Sequence, residues 1–229
     1  MAVRPIFIPS LHGDILSITK DIDFLWAPGM AKIQKQKSIR ALHTAANAQG
    51  ITNLLEISSK SEDEKGVALS AFNLKIKTKL LAKEFTVESA FQASKVFENG
   101  GPYVDLLDKN SRESKKDIRL KESGNLISFK FYNTIWPLIP RTAFYDWLYL
   151  SALNQNKKLA EYLLNFDGFT DIEFNPAKSI NCQARAAALY VSLVKRNKLK
   201  DVLSSQNSFL SNLSYHYGVE NYSIQHNLI

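Results

Sequence analysis

A single cysteine, Cys182, in a chain of 229 residues rules out an internal disulfide and any zinc site built from several thiolates. The fold must therefore be held by buried apolar side chains. The hydrophobic fraction of 45% is ordinary for a globular protein, and a chain of this length can build a sizeable core unaided. His12, His43, His216 and His226 are scattered without HxxxH or HExxH spacing, which argues against a histidine-rich metal site. A carboxylate-bound Mg²⁺ or Ca²⁺ stays open, and no cofactor is expected. The opening MAVRPIFIPSL is too short and too broken by proline for a secretory h-region, and no run approaches a membrane span. A cytoplasmic protein without a membrane partner is the expectation.

The formal charge of +7 comes from 29 basic and 22 acidic residues. That balance favours anionic ligands or polyanionic partners without proving either. No basic tail carries the charge, so any electrostatic footprint must be a patch on the folded surface.

Periodicity and punctuation divide the chain into short alternating elements. Ile6–Pro9 suits an edge strand stopped by proline, and Asp23–Trp26 a second extended piece. Ile39, Leu42 and Ala46 predict a helix over Ser38–Ala48, with Ser38 as N-cap and Gly50 as terminator. Leu54–Ser58 suits a strand, SSKSEDEK a loop, and Val67–Ile76 another strand. Lys75, Lys77 and Lys79 alternate as lysines do on a protected sheet edge. The polar and basic stretch 109–122 reads as a solvated helix or loop, or more sharply as a phosphate-contacting surface. Asn125–Tyr132 suits a strand. Helices are predicted over Arg141–Asn154, with Ala143, Trp147 and Leu150 buried, and over Leu159–Asn165 and 183–195. The polar stretch 206–229 gives little reason for order beyond a turn or two. The whole is one α+β domain over 1–229, helix-rich with a small antiparallel sheet.

The segment Thr86–Phe97 carries the most information about function. Thr86 suits an N-cap, and Glu88 follows where the helix dipole favours an anion. Val87, Phe91 and Ser94 fall on one helical face, while Glu88, Gln92 and Lys95 recur at i, i+4 and i+7 on another. That polar stripe is either a solvated face or a carboxylate, an amide and an ammonium lined up for chemistry. No P-loop, GxGxxG, GxSxG or HExxH occurs. Nucleotide hydrolysis, dehydrogenation, serine hydrolysis and zinc proteolysis of the usual kinds are disfavoured. Glycosidic cleavage, which needs only placed carboxylates or an amine, is not. Lys35, Lys37 and Arg40 stand at the start of the helix predicted from Ser38, where cations oppose the dipole and a bound anion would reverse the penalty.

VESAFQASKVF resembles the central E-x-x-[FY]-Q-A-x-K-F helix of the NADAR (YbiA-like) superfamily. Leu69-Ser70-Ala71-Phe72-Asn73 is similar to that family's F-S-N-F segment, with Ala71 where Asn is usual. Phe169-Thr170-Asp171 and Asn181 match weaker polar positions downstream. WAPGMAKIQKQKSIR, ISSKSE and FTDIEFNP resemble a narrower branch, the NADAR antitoxins paired with DarT-type DNA ADP-ribosyltransferases. The resemblance implies a YbiA-like fold and an enzyme that removes ADP-ribose from guanine in DNA, single-stranded DNA above all. It further implies ADP-ribose as ligand and a DarT-type toxin as partner.

On that basis Glu88 is the expected catalytic carboxylate. Lys35, crowded by Lys37 and Arg40, is the expected amine if the reaction runs through a Schiff base. Trp26, Lys37, Arg40, Lys60, Ser70, Phe72, Asn73, Gln92, Lys95, Asp171 and Asn181 are the expected ligand contacts. Trp26, Phe72, Phe91 and Phe174 are candidates for base stacking, although Phe91 suits core packing better. Two rival readings stay open: a module that binds ADP-ribose or toxin without hydrolysis, and a small-molecule N-glycosidase of the riboflavin-pathway type.

Overall fold

The computed structural model describes residues 1–78 and 83–218. In chain order its elements are β1 (Ala2–Pro9), β2 (Ser17–Phe24), α1 (Lys32–Asn47), β3 (Leu54–Glu56), α2 (Glu64–Ala68), β4 (Lys75–Lys77) and β5 (Glu84–Thr86). There follow α3 (Val87–Ala93), β6 (Lys95–Phe97), a 3-10 turn (Val104–Asp108), α4 (Ser111–Lys116), α5 (Arg119–Glu122), β7 (Leu126–Phe131) and β8 (Thr134–Trp136). The remainder is α6 (Ala143–Gln155), α7 (Lys157–Leu163), β9 (Gly168–Thr170), α8 (Gln183–Lys195), α9 (Leu199–Val202) and α10 (Gln206–Asn212). The architecture is α+β and helix-rich, as expected, but among the described residues the strands form three small sheets rather than one. The chain divides into two units, Met1–Ser70 with the residues from Lys158 onward, and Ala71–Lys157. Among the described residues no helix is long and apolar enough to cross a membrane.

The first unit is built on a mixed sheet ordered β2-β1-β9-β3, in which β3 and β9 run parallel. β1 is an interior strand, not the expected edge. It pairs with β2 along its whole length and with β9 through Phe7 opposite Phe169 alone. Pro5 and Pro9, two residues either side of Phe7, have no N–H with which to extend that second ladder. Ile6 and Phe7 are both buried. Successive strand residues face opposite ways, so both faces of β1 are covered. Ile39, Leu42 and Ala46 of α1 pack with Ile6, Ile22, Phe24 and Ile172. α8 is buried from Gln183 to Leu193, its alanines allowing close approach. The polar end of the chain holds a helix as well: Ser205 caps α10, and Phe209 is fully buried.

Helix α1 begins at Lys32, six residues before the expected cap. Ser38 sits inside it, where its Oγ accepts the Ala27 N–H at 3.0 Å and ties down the loop carrying Trp26. The segment Val67–Ile76 is not one strand. Asp63 accepts the Gly66 N–H at 2.9 Å and starts α2, and only Lys75–Lys77 is extended. Local capping outweighs apolar alternation there.

In the second unit β4 pairs with β5, and β6, β7 and β8 form an antiparallel sheet. Lys75 and Lys77 are exposed and both pair with Glu84, as edge lysines would. Lys79 lies outside the described residues. An aromatic core surrounds Phe144, whose ring lies 4.8 Å from Phe129, 5.7 Å from Trp136 and 6.1 Å from Phe91. Phe91 is therefore a core residue. α6 is buried nearly all round rather than on one face.

Candidate functional site

In the second unit Thr86 caps α3, its Oγ1 accepting the Ser89 N–H at 3.1 Å. Every residue of α3 is buried, so the polar stripe is not a solvated face. Glu88 is 6% exposed and Gln92 5%. Gln92 Nε2 donates to Glu88 Oε1 at 2.9 Å, and the Lys115 ammonium lies 3.7 Å from the same oxygen. Gln92 Oε1 is buried without a hydrogen-bond partner. The helix ends at Ala93, shorter than expected. Ser94 turns its hydroxyl back onto the Ala90 carbonyl at 2.7 Å, a bond that competes with continuing the helix. Lys95 consequently stands on β6, opposite Phe129. Its ammonium lies 5.1 Å from the Phe91 ring centroid. Burial pushes the Lys95 pKa down and nearby Lys115 adds to that, against the pull of Glu88. Phe72 is half-buried with Lys115 Nζ 5.1 Å from its ring, and Asn73 is exposed.

The first unit gathers a different set. The Lys35 ammonium and the Arg4 guanidinium lie 4.7 Å and 5.2 Å from the Trp26 ring. Lys35 Nζ is also 3.4 Å from Glu173 Oε1. Lys35, Lys37 and Arg40 do not form the expected crowd. At about 100° per residue, Lys37 and Arg40 stand well round the helix from Lys35. Lys37 is exposed, and Arg40 pairs with Glu62 at 3.2 Å. Lys60 lies in the turn after β3, where its N–H donates to Ser58 Oγ, and Ser70 is buried. Asp171 shapes the loop after β9, its Oδ1 accepting the Glu173 and Phe174 N–H groups at 3.0 and 3.2 Å. Burial, with the Glu56 charge nearby, raises its pKa well above the usual range. Asn181 is half-buried with Oδ1 unpartnered.

The description "DarT1-associated NADAR antitoxin" matches residues 2–223 of the chain. The chain belongs to this family. No curated protein matches it.

Several polar groups of this NADAR antitoxin escaped the sequence reading. Glu56, 3% exposed, accepts from Thr170 Oγ1 at 2.6 Å and from the Ile172 N–H at 2.9 Å. His43 Nε2 lies 2.8 Å from the same Thr170 oxygen. Because the hydroxyl proton goes to Glu56, His43 donates through Nε2–H. This chain of bonds braces the loop that carries Asp171 and Glu173. Its one sequence signal was a carboxylate inside the apolar strand LLEI. Glu173 stands two residues after Asp171 in the FTDIEFNP segment.

A pH dependence follows from His43. Burial lowers its pKa from 6.5 to about 4. Between those values the unfolded chain binds the proton and the folded one does not, so acidification through this window destabilises the antitoxin. The full shift corresponds to about 3 kcal/mol. Glu56 and Asp171, raised by burial, act in the opposite sense because their folded forms hold protons more tightly. The expected result is that His43→Gln loses less thermal stability than wild type on going from pH 6.5 to 4. Melting temperatures across that range check it, and parallel curves would count against His43.

Proposed function

We propose that this antitoxin is an ADP-ribosyl glycohydrolase that removes ADP-ribose from guanine bases in DNA, with a DarT-type transferase as cognate toxin in the cytoplasm. The observation that carries the reading is the Glu88 carboxylate, buried at 6% exposure in the first turn of α3 and held by Gln92. Departure of the base develops positive charge at the anomeric carbon of the distal ribose, and a fixed carboxylate stabilises that charge. The Gln92 and Lys115 contacts both fall on Oε1, which leaves Oε2 for the sugar. Lys95 supplies a cation for the pyrophosphate, and the half-buried Phe72 a stacking face. The test is incubation with single-stranded DNA carrying one ADP-ribosylguanine. Free ADP-ribose and unmodified guanine are expected. Toxin neutralisation without release would favour a binding module instead. Cleavage of small nucleosides alone would favour a small-molecule N-glycosidase.

A second route is favoured by the 3.4 Å separation of Lys35 and Glu173. The carboxylate stands within reach of the proton that the ammonium must give up before the amine can attack. That amine adds to the anomeric carbon of the ring-opened sugar, the guanine nitrogen leaves with a proton, and water hydrolyses the resulting iminium. On this route, borohydride added during turnover reduces the iminium and leaves an ADP-ribosyl adduct that maps to Lys35 and is absent from Lys35→Met. An adduct at Lys95, whose pKa burial lowers, would move the role there. Turnover with no adduct would leave the Glu88 route alone.

A further inference from the structure

Helix α4 turns three cations outward and keeps one of them on Glu88. Its buried side is anchored by serines. Ser111 Oγ donates to the Phe72 carbonyl at 2.8 Å, and Ser114 Oγ to the Leu106 carbonyl at 2.9 Å. Arg112, Lys115 and Lys116, spaced i, i+3 and i+4, fall together on the exposed side. Neighbouring cations are neutralised: Lys109 and Arg119 both pair with Asp117, at 2.9 and 2.8 Å. Among the described residues, the three on α4 make one ion pair, that of Lys115 with Glu88. Like charges at this spacing repel, and an anion on the ridge relieves the repulsion.

The Lys115 side chain is 57% exposed while that of Glu88 is 8% exposed, so a surface ammonium sits against a nearly buried carboxylate. In that position it screens the negative charge that Glu88 would offer to a developing cation. Resting on the glycohydrolase reading, we propose that Lys115 sets substrate choice. It screens Glu88 until nucleic-acid phosphates on the Arg112–Lys116 face draw its ammonium away. A DNA strand then activates the carboxylate that a small substrate leaves screened.

The test compares wild type, Lys115→Met and Lys115→Arg on two substrates: a single-stranded oligonucleotide carrying one ADP-ribosylguanine, and ADP-ribosylguanosine alone. Lys115→Met is expected to raise kcat/KM on the nucleoside about five-fold, the effect of removing one exposed charge pair. It should lower kcat/KM on the oligonucleotide and reduce the salt-dependence slope of oligonucleotide binding by about one. Lys115→Arg should keep the wild-type preference. A nucleoside rate that falls with the oligonucleotide rate, or that does not change, overturns the proposal. Should wild type cleave neither substrate, the glycohydrolase reading fails instead. Anisotropy titration of unmodified single-stranded DNA then tests Lys115 by itself, and an unchanged salt slope overturns its role.

Discussion

Glu88→Gln is expected to slow release of ADP-ribose from modified single-stranded DNA by about 10²–10⁴-fold, the range for a positioned acid, base or charge. The substitution keeps the shape of the side chain and an oxygen that can accept from Gln92 Nε2, now 2.9 Å from Glu88 Oε1. The helix cap at Thr86 and the packing of Phe91 are untouched, so the melting temperature should stay within a few degrees of wild type. The charge alone is removed. A second readout follows from Lys95, whose ammonium form Glu88 favours. Without that carboxylate the Lys95 pKa moves further down. Single-turnover kinetics with a parallel thermal melt make the measurement, and near wild-type turnover would sink the assignment. A folded Glu88→Gln variant that still neutralises the toxin would separate binding from hydrolysis.

Phe144→Ala is expected to be the most destabilising substitution in the Ala71–Lys157 unit. Phe144 is 1% exposed, and its ring meets those of Phe91, Phe129, Phe131, Trp136 and Trp147. Removing an aromatic ring from such a place leaves a cavity as well as lost burial, at a cost of about 3–5 kcal/mol. For a protein of this size that is a fall of about 6–20 °C in Tm. Because Phe91 shares helix α3 with Glu88, the loss should also loosen the carboxylate and lower activity in the surviving folded fraction. Denaturant and thermal melts check it, and a change below about 1 kcal/mol would show that the core closes over the gap.

Where one principle acted alone, the elements were legible. The helices over α6 and α8 follow from long apolar or alanine-rich periodicity, and β7 from alternation. Thr86 is the cap it was expected to be, because its hydroxyl stands three residues from the N–H it accepts. Misreadings arose where two local preferences compete. Val67–Ile76 alternates like a strand, yet the helix capped by Asp63 runs into its first two residues. Ser38 looks like a cap, yet its hydroxyl serves the distant Ala27 N–H. β1 carries the prolines of an edge, yet Phe7 alone is enough to give it a second neighbour.

Residue order and spacing alone determined the class of fold, the capped segment at Thr86 and the placing of Glu88 and Gln92 one turn apart. These rest on contacts within a few residues, which helical geometry dictates. Tertiary structure decided whether that polar stripe is solvated or buried, because burial depends on what the rest of the chain lays over it. Partners came from the same source: Glu173 for Lys35, Glu62 for Arg40, Thr170 for His43 and Lys115 for Glu88. The last spans 27 positions in sequence, and no periodicity carries information over that distance.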